Sequence, residues 1–292
     1  MSAARTTRLV HTRKDLDAAV AERPGAVGVV MTMGALHDGH RELIRVARGR
    51  CDLIVVTVFL NPLQFGPNED LSRYPKTLES DLALCTQEHV DVVFAPSVEE
   101  VYPGGAAPQV RVAAGPLGDV LEGASRPGHF DGVLTVVAKL LHITRPDVAY
   151  FGQKDAQQLL LIRQMVADLD FPCEVVAVPT VREPSGLALS SRNGYLSDTD
   201  RDVAVALSRA LRAGVDAAPD GASAVRRAAA DVVAAQRGVT VDYLVLVDPL
   251  ALYDVPDDFA GEALLAVAAR VGSTRLIDNV IVELVTEDRA GS

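Results

Sequence analysis

The stretch AVGVVMTMGALHDGHRELIRVARGRCDLIVVTVFL, Ala26 to Leu60, decides the architecture. It opens on a short β-branched run, passes a glycine, enters the amphipathic pattern RELIRVARGR and returns to a second apolar run, DLIVVTVFL. Strand, helix and strand in that order read as a βαβ unit with parallel strands. The same rhythm continues outward. TLESDLALCTQEH is helical and DVVFAP strand-like, while GVLTVVAKLLHI puts Val133, Val136, Val137, Leu140 and Leu141 on one helical face. DVAYFG, DAQQLLLIRQMVADL and CEVVAVPT then read as strand, helix and strand. The expected fold class is α/β, a doubly wound parallel sheet.

The pattern changes after VPTVREPSGLALSSRNGYLS, a segment rich in Pro, Gly and Ser. Ser197 and Asp200 form an S-x-x-D capping arrangement ahead of VAVALSRAL, and ASAVRRAAADVVAAQ supplies a second helix. TVDYLVLVD and EALLAVAARVG read as strands of a small sheet. Two domains are therefore expected, residues 1–180 with the parallel sheet and residues 181–292 as a smaller α+β domain. A chain of 292 residues, 49% hydrophobic and 23% charged, has the length at which one core tends to divide.

A net charge of -11 argues against nucleic acid and anionic membranes as partners, since both need basic surface. MSAARTTRLV carries neither an apolar segment nor a cleavage signal, and no window approaches the ~18 apolar residues of a membrane span, so a cytoplasmic protein is expected. Cys51, Cys85 and Cys173 form no C-x-x-C pair and are expected as buried thiols. Of the 28 basic residues only Lys14, Lys76, Lys139 and Lys154 are lysines, so a remaining lysine hints at a specific need.

Loops at the carboxyl ends of parallel strands, leading into helix N-termini, favour anions. TMGALHDGH is such a loop, and it contains neither G-x-G-x-x-G nor a P-loop, so a phosphate site there would use side chains. His37 and His40 can donate N–H groups, and Gly39 allows a ligand near the backbone. The same spacing also suits two solvated histidines or half of a zinc site that lacks a third ligand. VFLNPLQFGPNEDLSRYPKT adds Asn61 and Gln64, plus the acidic pair Glu69 and Asp70, a candidate for magnesium or for plain solvation. LEGASRPGHFDGVLTVVAKL carries Glu122, Arg126 and His129; Arg126 can grip a carboxylate or phosphate, or tie two loops together. DVAYFGQKDAQQLLLIRQM places Lys154 just after a strand and glycine, suited to a phosphate as a point charge. REPSGLALSSRN offers Ser190, Ser191 and Arg192, which suit a polyphosphate tail or a polar linker.

TMGALHDGH, NPLQFGPNEDLSRYP, LEGASRPGHFDGVLTVV, YFGQKDAQQ and VREPSGLALSSRN, in that order, resemble the pantothenate synthetase family of pantoate and β-alanine ligases, in the HxGH nucleotidyltransferase superfamily. The resemblance covers nearly the whole chain. It implies a Rossmann-like N-terminal domain, a C-terminal lid, a homodimer, ATP with magnesium, and pantoate and β-alanine as substrates. It also implies that His37, His40 and Lys154 contact the ATP phosphates, joined by Ser190, Ser191 and Arg192. Gly152 and Asp155 would meet the nucleoside, with Met33, Gly34, Val181 and Leu189 also on the nucleotide. Gln64 and Gln158 would bind pantoate, in a pocket with Met33, Phe59, Asn61 and Arg126. Two positions depart from the family's usual pattern: Leu189 where Met is common, and Ser185 where Asp is common. Two other readings remain at this stage. One is a different HxGH nucleotidyltransferase, whose acceptor site should be basic where Gln64 and Gln158 are neutral; the other is a non-catalytic nucleotide-binding protein.

Overall fold

The computed structural model describes residues 6–22, 25–67, 69–105 and 108–285, without the side chain of Asp70. The chain forms two compact units, Met1–Gln153 with Gln157–Pro179, and Lys154–Ala156 with Thr180–Ser292.

The first unit contains the strands β1 (Arg8–Val10), β2 (Val27–Thr32), β3 (Leu53–Val58), β4 (Val92–Phe94), β5 (Val148–Gly152) and β6 (Glu174–Val178). They form one sheet in the order β1-β4-β3-β2-β5-β6, and every pairing is parallel. The helices are α1 (Arg13–Ala21), α2 (Asp38–Arg48), α3 (Leu78–Gln87), the single turns α4 (Val98–Val101) and α5 (Glu122–Ser125), then α6 (His129–Thr144) and α7 (Ala156–Asp168). Alternate strand residues feed two cores, as a pleated sheet requires. Val29, Val55, Ala149 and Phe151 pack with α1, α6 and α7, whereas Val30, Ile54, Val56 and Tyr150 pack with α2 and α3. The sheet is thus covered on both faces, the doubly wound arrangement expected. Strand order reverses between β2 and β5, which makes the carboxyl ends of those two strands the natural crevice.

Two expectations need amendment, and two edge elements escaped the sequence reading. Helix α6 is buried well beyond one face, with Leu134, Thr135, Ala138 and Ile143 also enclosed. One cause is that its backbone is pressed on the turn at Pro62–Gln64: a Cβ at Gly132 would stand 2.2 Å from the Leu63 carbonyl oxygen. Cys51 and Cys85 are buried, but Cys173 is partly exposed. The edge elements β1 and α1 were not legible, being short and mixed in polarity.

The second unit has three antiparallel strands, β7 (Val239–Val247), β8 (Gly261–Val271) and β9 (Thr274–Leu284), with β8 central. Helices α8 (Asp198–Asp216) and α9 (Ala222–Ala235) share its core with them, through Leu207, Leu211, Val225, Leu265, Val267 and Val282. Ser197 caps α8 as expected, its hydroxyl accepting the Asp200 N–H at 3.1 Å. Strand β9 escapes the sequence reading because Asp278 occupies a buried position where an apolar residue would complete the alternation. No helix among the described residues is long and apolar enough to cross a membrane.

Candidate active site

The loop between β2 and α2 is held at nearly every backbone group. Thr32 Oγ1 donates to the Thr57 carbonyl at 2.7 Å and accepts the Gly34 N–H at 3.2 Å. Gly34 and Ala35 both take positive φ, 91° and 52°, a bend that turns successive amides to one side. The Ala35 and Leu36 N–H groups then donate to the Asp81 carboxylate at 3.1 and 2.8 Å, and the Thr77 hydroxyl joins them. Asp81 is only 2% exposed, so its charge is spent on this loop. It comes from the first turn of α3, on a helical face shared with buried Cys85, and an acid on an apolar face is the signal that could have marked it.

His37 is the N-cap of α2, and the two histidines form a capping box. Its Nδ1 accepts the Gly39 N–H at 3.1 Å, while His40 Nδ1 accepts the His37 N–H at 3.3 Å. A backbone N–H can only donate, so both Nδ1 atoms carry lone pairs and each neutral ring keeps its proton on Nε2. The ring centroids lie 4.2 Å apart. Burial, and then the neighbouring His37, lower the His40 pKa from 6.5 to about 3. His40 is therefore a neutral donor near pH 7. The spacing that first suggested a ligand contact also has a helix-capping use: the cap engages Nδ1 of both rings.

Around Gln64 the hydrogen bonds settle which way each amide faces. Asn61 Oδ1 accepts the Leu63 N–H at 3.3 Å and the Tyr102 hydroxyl at 2.9 Å, and its Nδ2 donates to the Gly132 carbonyl at 3.1 Å. Asn61 Nδ2 also donates to Gln64 Oε1 at 3.1 Å, which leaves Gln64 Nε2 resting on Met33 Sδ at 3.2 Å. A thioether is a weak acceptor, so that Nε2 donor is readily exchanged for a ligand oxygen. Phe59 is buried edge-on to Tyr102, ring centroids 6.0 Å apart.

Two of the expected substrate residues have partners within the protein. Asn61 is 1% exposed and its amide makes those four bonds, one of which orients Gln64. Arg126 donates to both oxygens of Glu69, at 2.7 and 2.5 Å, and to the Gln64 carbonyl at 3.3 Å, with His129 Nε2 at 2.9 Å. It ties two loops together. Burial opposes ionisation of Glu69, but the Arg126 hydrogen bonds and charge prevail and hold its carboxyl below the usual range. Glu69 is accordingly committed, and the other half of the acidic pair, the Asp70 side chain, lies outside the described set. Among the described residues no three His, Cys, Asp or Glu side chains gather as a metal cage.

Gly152 ends β5, and space around its α-carbon is open. Gln157 on α7 is structural: its amide binds the Glu122 N–H and the Leu117 and Val120 carbonyls at 2.8–3.0 Å. Its neighbour Gln158 is half-buried.

In the second unit, Lys154 lies in the turn Gln153–Asp155, its ammonium 4.0 Å from Asp155. Val181 and Leu189 face each other across a short antiparallel bridge, the Leu189 N–H donating to the Val181 carbonyl at 2.9 Å. The chain then enters a 3-10 turn capped by Ser190, whose Oγ accepts the Arg192 N–H at 3.3 Å. Buried Asn193 steadies this turn by donating to the Ala188 carbonyl at 3.0 Å.

An open parallel sheet, with two histidines capping the N-terminus of the helix that follows a central strand, defines an α/β protein whose crevice is suited to anions. The sequence model of the family described as pantoate-beta-alanine ligase matches residues 7–281, and the chain belongs to that family of ligases. It is 59% identical over 282 residues to the pantothenate synthetase of Salinispora arenicola, covering 95% of this chain and 98% of that one. It is 61% identical over 259 residues to pantothenate synthetase 4 of Frankia alni, covering 89% and 83%. The crystal structure of pantothenate synthetase from Thermus thermophilus superposes with a TM-score of 0.88 at 50% identity, covering 94% of this chain and 98% of that one. The Francisella tularensis pantoate-beta-alanine ligase, crystallised with beta-gamma ATP and beta-alanine, does so at 0.77 and 34%, with the same coverage.

Proposed function

We propose that this ligase condenses pantoate with β-alanine in two steps, through a pantoyl adenylate. A pantoate carboxylate oxygen attacks the α-phosphorus of ATP, and the bond to pyrophosphate breaks. The β-alanine amine then attacks the acyl carbon, AMP departs with the carbon–oxygen electron pair, and the amine's proton passes to water or phosphate. Both steps build negative charge on a departing phosphate, so positioned donors contribute most.

The observation that carries this reading is the locked pair of imidazoles: His37 and His40 hold Nδ1 on the backbone at the N-terminus of α2, which puts each neutral ring's proton on Nε2. In this account they are donors to the ATP phosphates and not general bases. Lys154, Ser190, Ser191 and Arg192 bind the same polyphosphate, Gly152 and Asp155 the nucleoside, and Met33, Gly34, Val181 and Leu189 line the nucleotide's path. Gln64 Nε2 leaves Met33 to donate to pantoate, with Gln158 as the second amide and Phe59 as an apolar wall. Magnesium supplies charge neutralisation when bound. It would enter on the phosphates with few protein ligands, in keeping with the lack of a carboxylate cage among the described residues. We also propose a homodimer as the working state.

The test is isotope exchange between pyrophosphate and ATP, with pantoate present and β-alanine absent. Exchange that requires pantoate is expected. Exchange that needs no acid, or that responds only to a different acid, overturns the assignment.

A further inference from the structure

Lys154 and the Ser190–Arg192 turn are 36 residues or more apart in sequence, yet the first is tied directly, and the second through Arg182, to two adjacent residues of β9. Asn279 Nδ2 donates to the Lys154 carbonyl at 2.7 Å. Asp278, with its side chain only 3% exposed, accepts two hydrogen bonds from Arg182, Nη1 at 2.6 Å and Nη2 at 3.0 Å. The same guanidinium closes its own loop by donating to the Gly186 carbonyl at 3.2 Å. Arg182 is bridged to Ala188, and Val181 to Leu189, so whatever fixes Arg182 fixes the strand that runs into Ser190. Asp278 and Asn279 are themselves joined, the Asn279 N–H donating to Asp278 Oδ1 at 2.8 Å.

We propose that the Asp278–Asn279 pair is a positioning clamp that sets Lys154 and the Ser190–Arg192 turn at a fixed spacing for one polyphosphate. The inference rests on the reading above that these residues bind the ATP phosphates. The chemistry explains why a clamp is needed. A lysine ammonium acts as a point charge on a flexible stem, so its contribution depends on where the backbone starts it. The hydroxyls of Ser190 and Ser191 and the Arg192 guanidinium need set directions. One rigid strand that holds the Lys154 backbone and, through Arg182, the strand leading into Ser190 answers both demands. It also explains why Lys154–Ala156 is compact with the second unit although its neighbours in sequence belong to the first. Asn279 is a positioning residue and touches no reacting atom in this account.

A double-mutant cycle in the full chain tests it, read as the dissociation constant for a non-hydrolysable ATP analogue and as KM for ATP and for pantoate. Lys154→Ala should weaken analogue binding by about tenfold, the usual worth of a hydrogen bond to a charged group. Asn279→Ala, and the near-isosteric Asn279→Asp, which lacks the donor, should each weaken it by about threefold to tenfold and leave the pantoate KM unchanged. The pair Lys154→Ala with Asn279→Ala should be no worse than Lys154→Ala alone. The clamp is overturned if both Asn279 variants bind the analogue as the parent does while Lys154→Ala does not, or if the two losses simply add. An unaffected Lys154→Ala variant would instead remove the phosphate role of Lys154 itself, and the clamp with it.

Discussion

The histidine loop of the first unit and the serine turn of the second carry the two sets of phosphate donors proposed here, and they are built differently. Gly34 to His37 is pinned from below by a buried carboxylate, two threonine hydroxyls and a capping box. Ser190 to Arg192 sits on a 3-10 turn steadied by the buried amide of Asn193, which also receives help from Arg201 at its carbonyl, 3.4 Å away. The first region has a charge buried for the sake of geometry; the second is steadied by a neutral amide that is only partly satisfied. The difference teaches where each will fail. Loss of one support should be felt sharply in the loop and weakly in the turn.

The largest effect belongs to His40. His40→Ala removes a donor whose only free nitrogen is Nε2, and loss of such a donor costs about 3 kcal/mol of transition-state stabilisation, two or more decades in rate. It also removes half of the capping box, for which about 1 kcal/mol of stability is expected. Pantoate-dependent pyrophosphate exchange measures the first and a denaturant midpoint the second. Retention of near-parental exchange would break the comparison at its strongest point.

Asp81→Asn comes next. It keeps the shape but removes the charge and one acceptor, so either the part-buried Leu36 N–H loses its partner or the Ala35 N–H keeps that of Thr77 Oγ1 while losing that of residue 81, at a cost of about 1–3 kcal/mol. Since the loop carries His37, turnover should fall by about tenfold even where the fold persists. Thermal unfolding and steady-state kcat together check this; a destabilised variant with unchanged kcat would show that the carboxylate supports the fold alone.

A smaller effect follows from the His40 proton. In the folded chain its pKa is lowered to about 3 by burial and then by His37, against 6.5 when unexposed to those influences. Between those values the unfolded chain binds the proton and the folded chain does not, so stability rises with pH across the window. The favourable balance is complete above pH 6.5 and is lost as pH falls toward 3. The slope from this group is at most about 1.4 kcal/mol per pH unit. Urea midpoints of the parent and of His40→Gln, compared between pH 7 and pH 5, should converge as the pH drops; parallel curves would mean that the ring protonates freely.

The sequence showed the groups proposed to meet a ligand far better than those that hold them. His37, His40, Gln64, Lys154 and Ser190 stand in loops after apolar runs, where side-chain chemistry is the visible feature, and the βαβ rhythm is equally visible. Asp81, Tyr102, Asp278 and Asn279 lie inside regular elements or next to them, and their partners are 41 or more residues away, so only tertiary structure reveals what they bind. The protein partners of Asn61 and Arg126 are hidden in the sequence for the same reason. A polar side chain in a loop looks available until the fold supplies Gly132, Tyr102 and Glu69 to occupy it.

The smallest effect should come from the turn. Asn193→Ala deletes the bond to the Ala188 carbonyl and a longer one, 3.4 Å, to Glu183 Oε1, together worth about 1 kcal/mol. Yet Asn193 Oδ1 is buried without a hydrogen-bond partner, so the same substitution also removes an unsatisfied acceptor and recovers part of that cost. The Arg201 bond to the residue 193 carbonyl and the Ser190 cap survive, because neither uses the asparagine side chain. The turn should therefore keep its shape, with a net loss of stability below about 1 kcal/mol and a KM for ATP that moves no more than about threefold. A loss as large as that of Asp81→Asn would erase the contrast between the two regions, since it would make a single neutral amide as decisive as a buried charge.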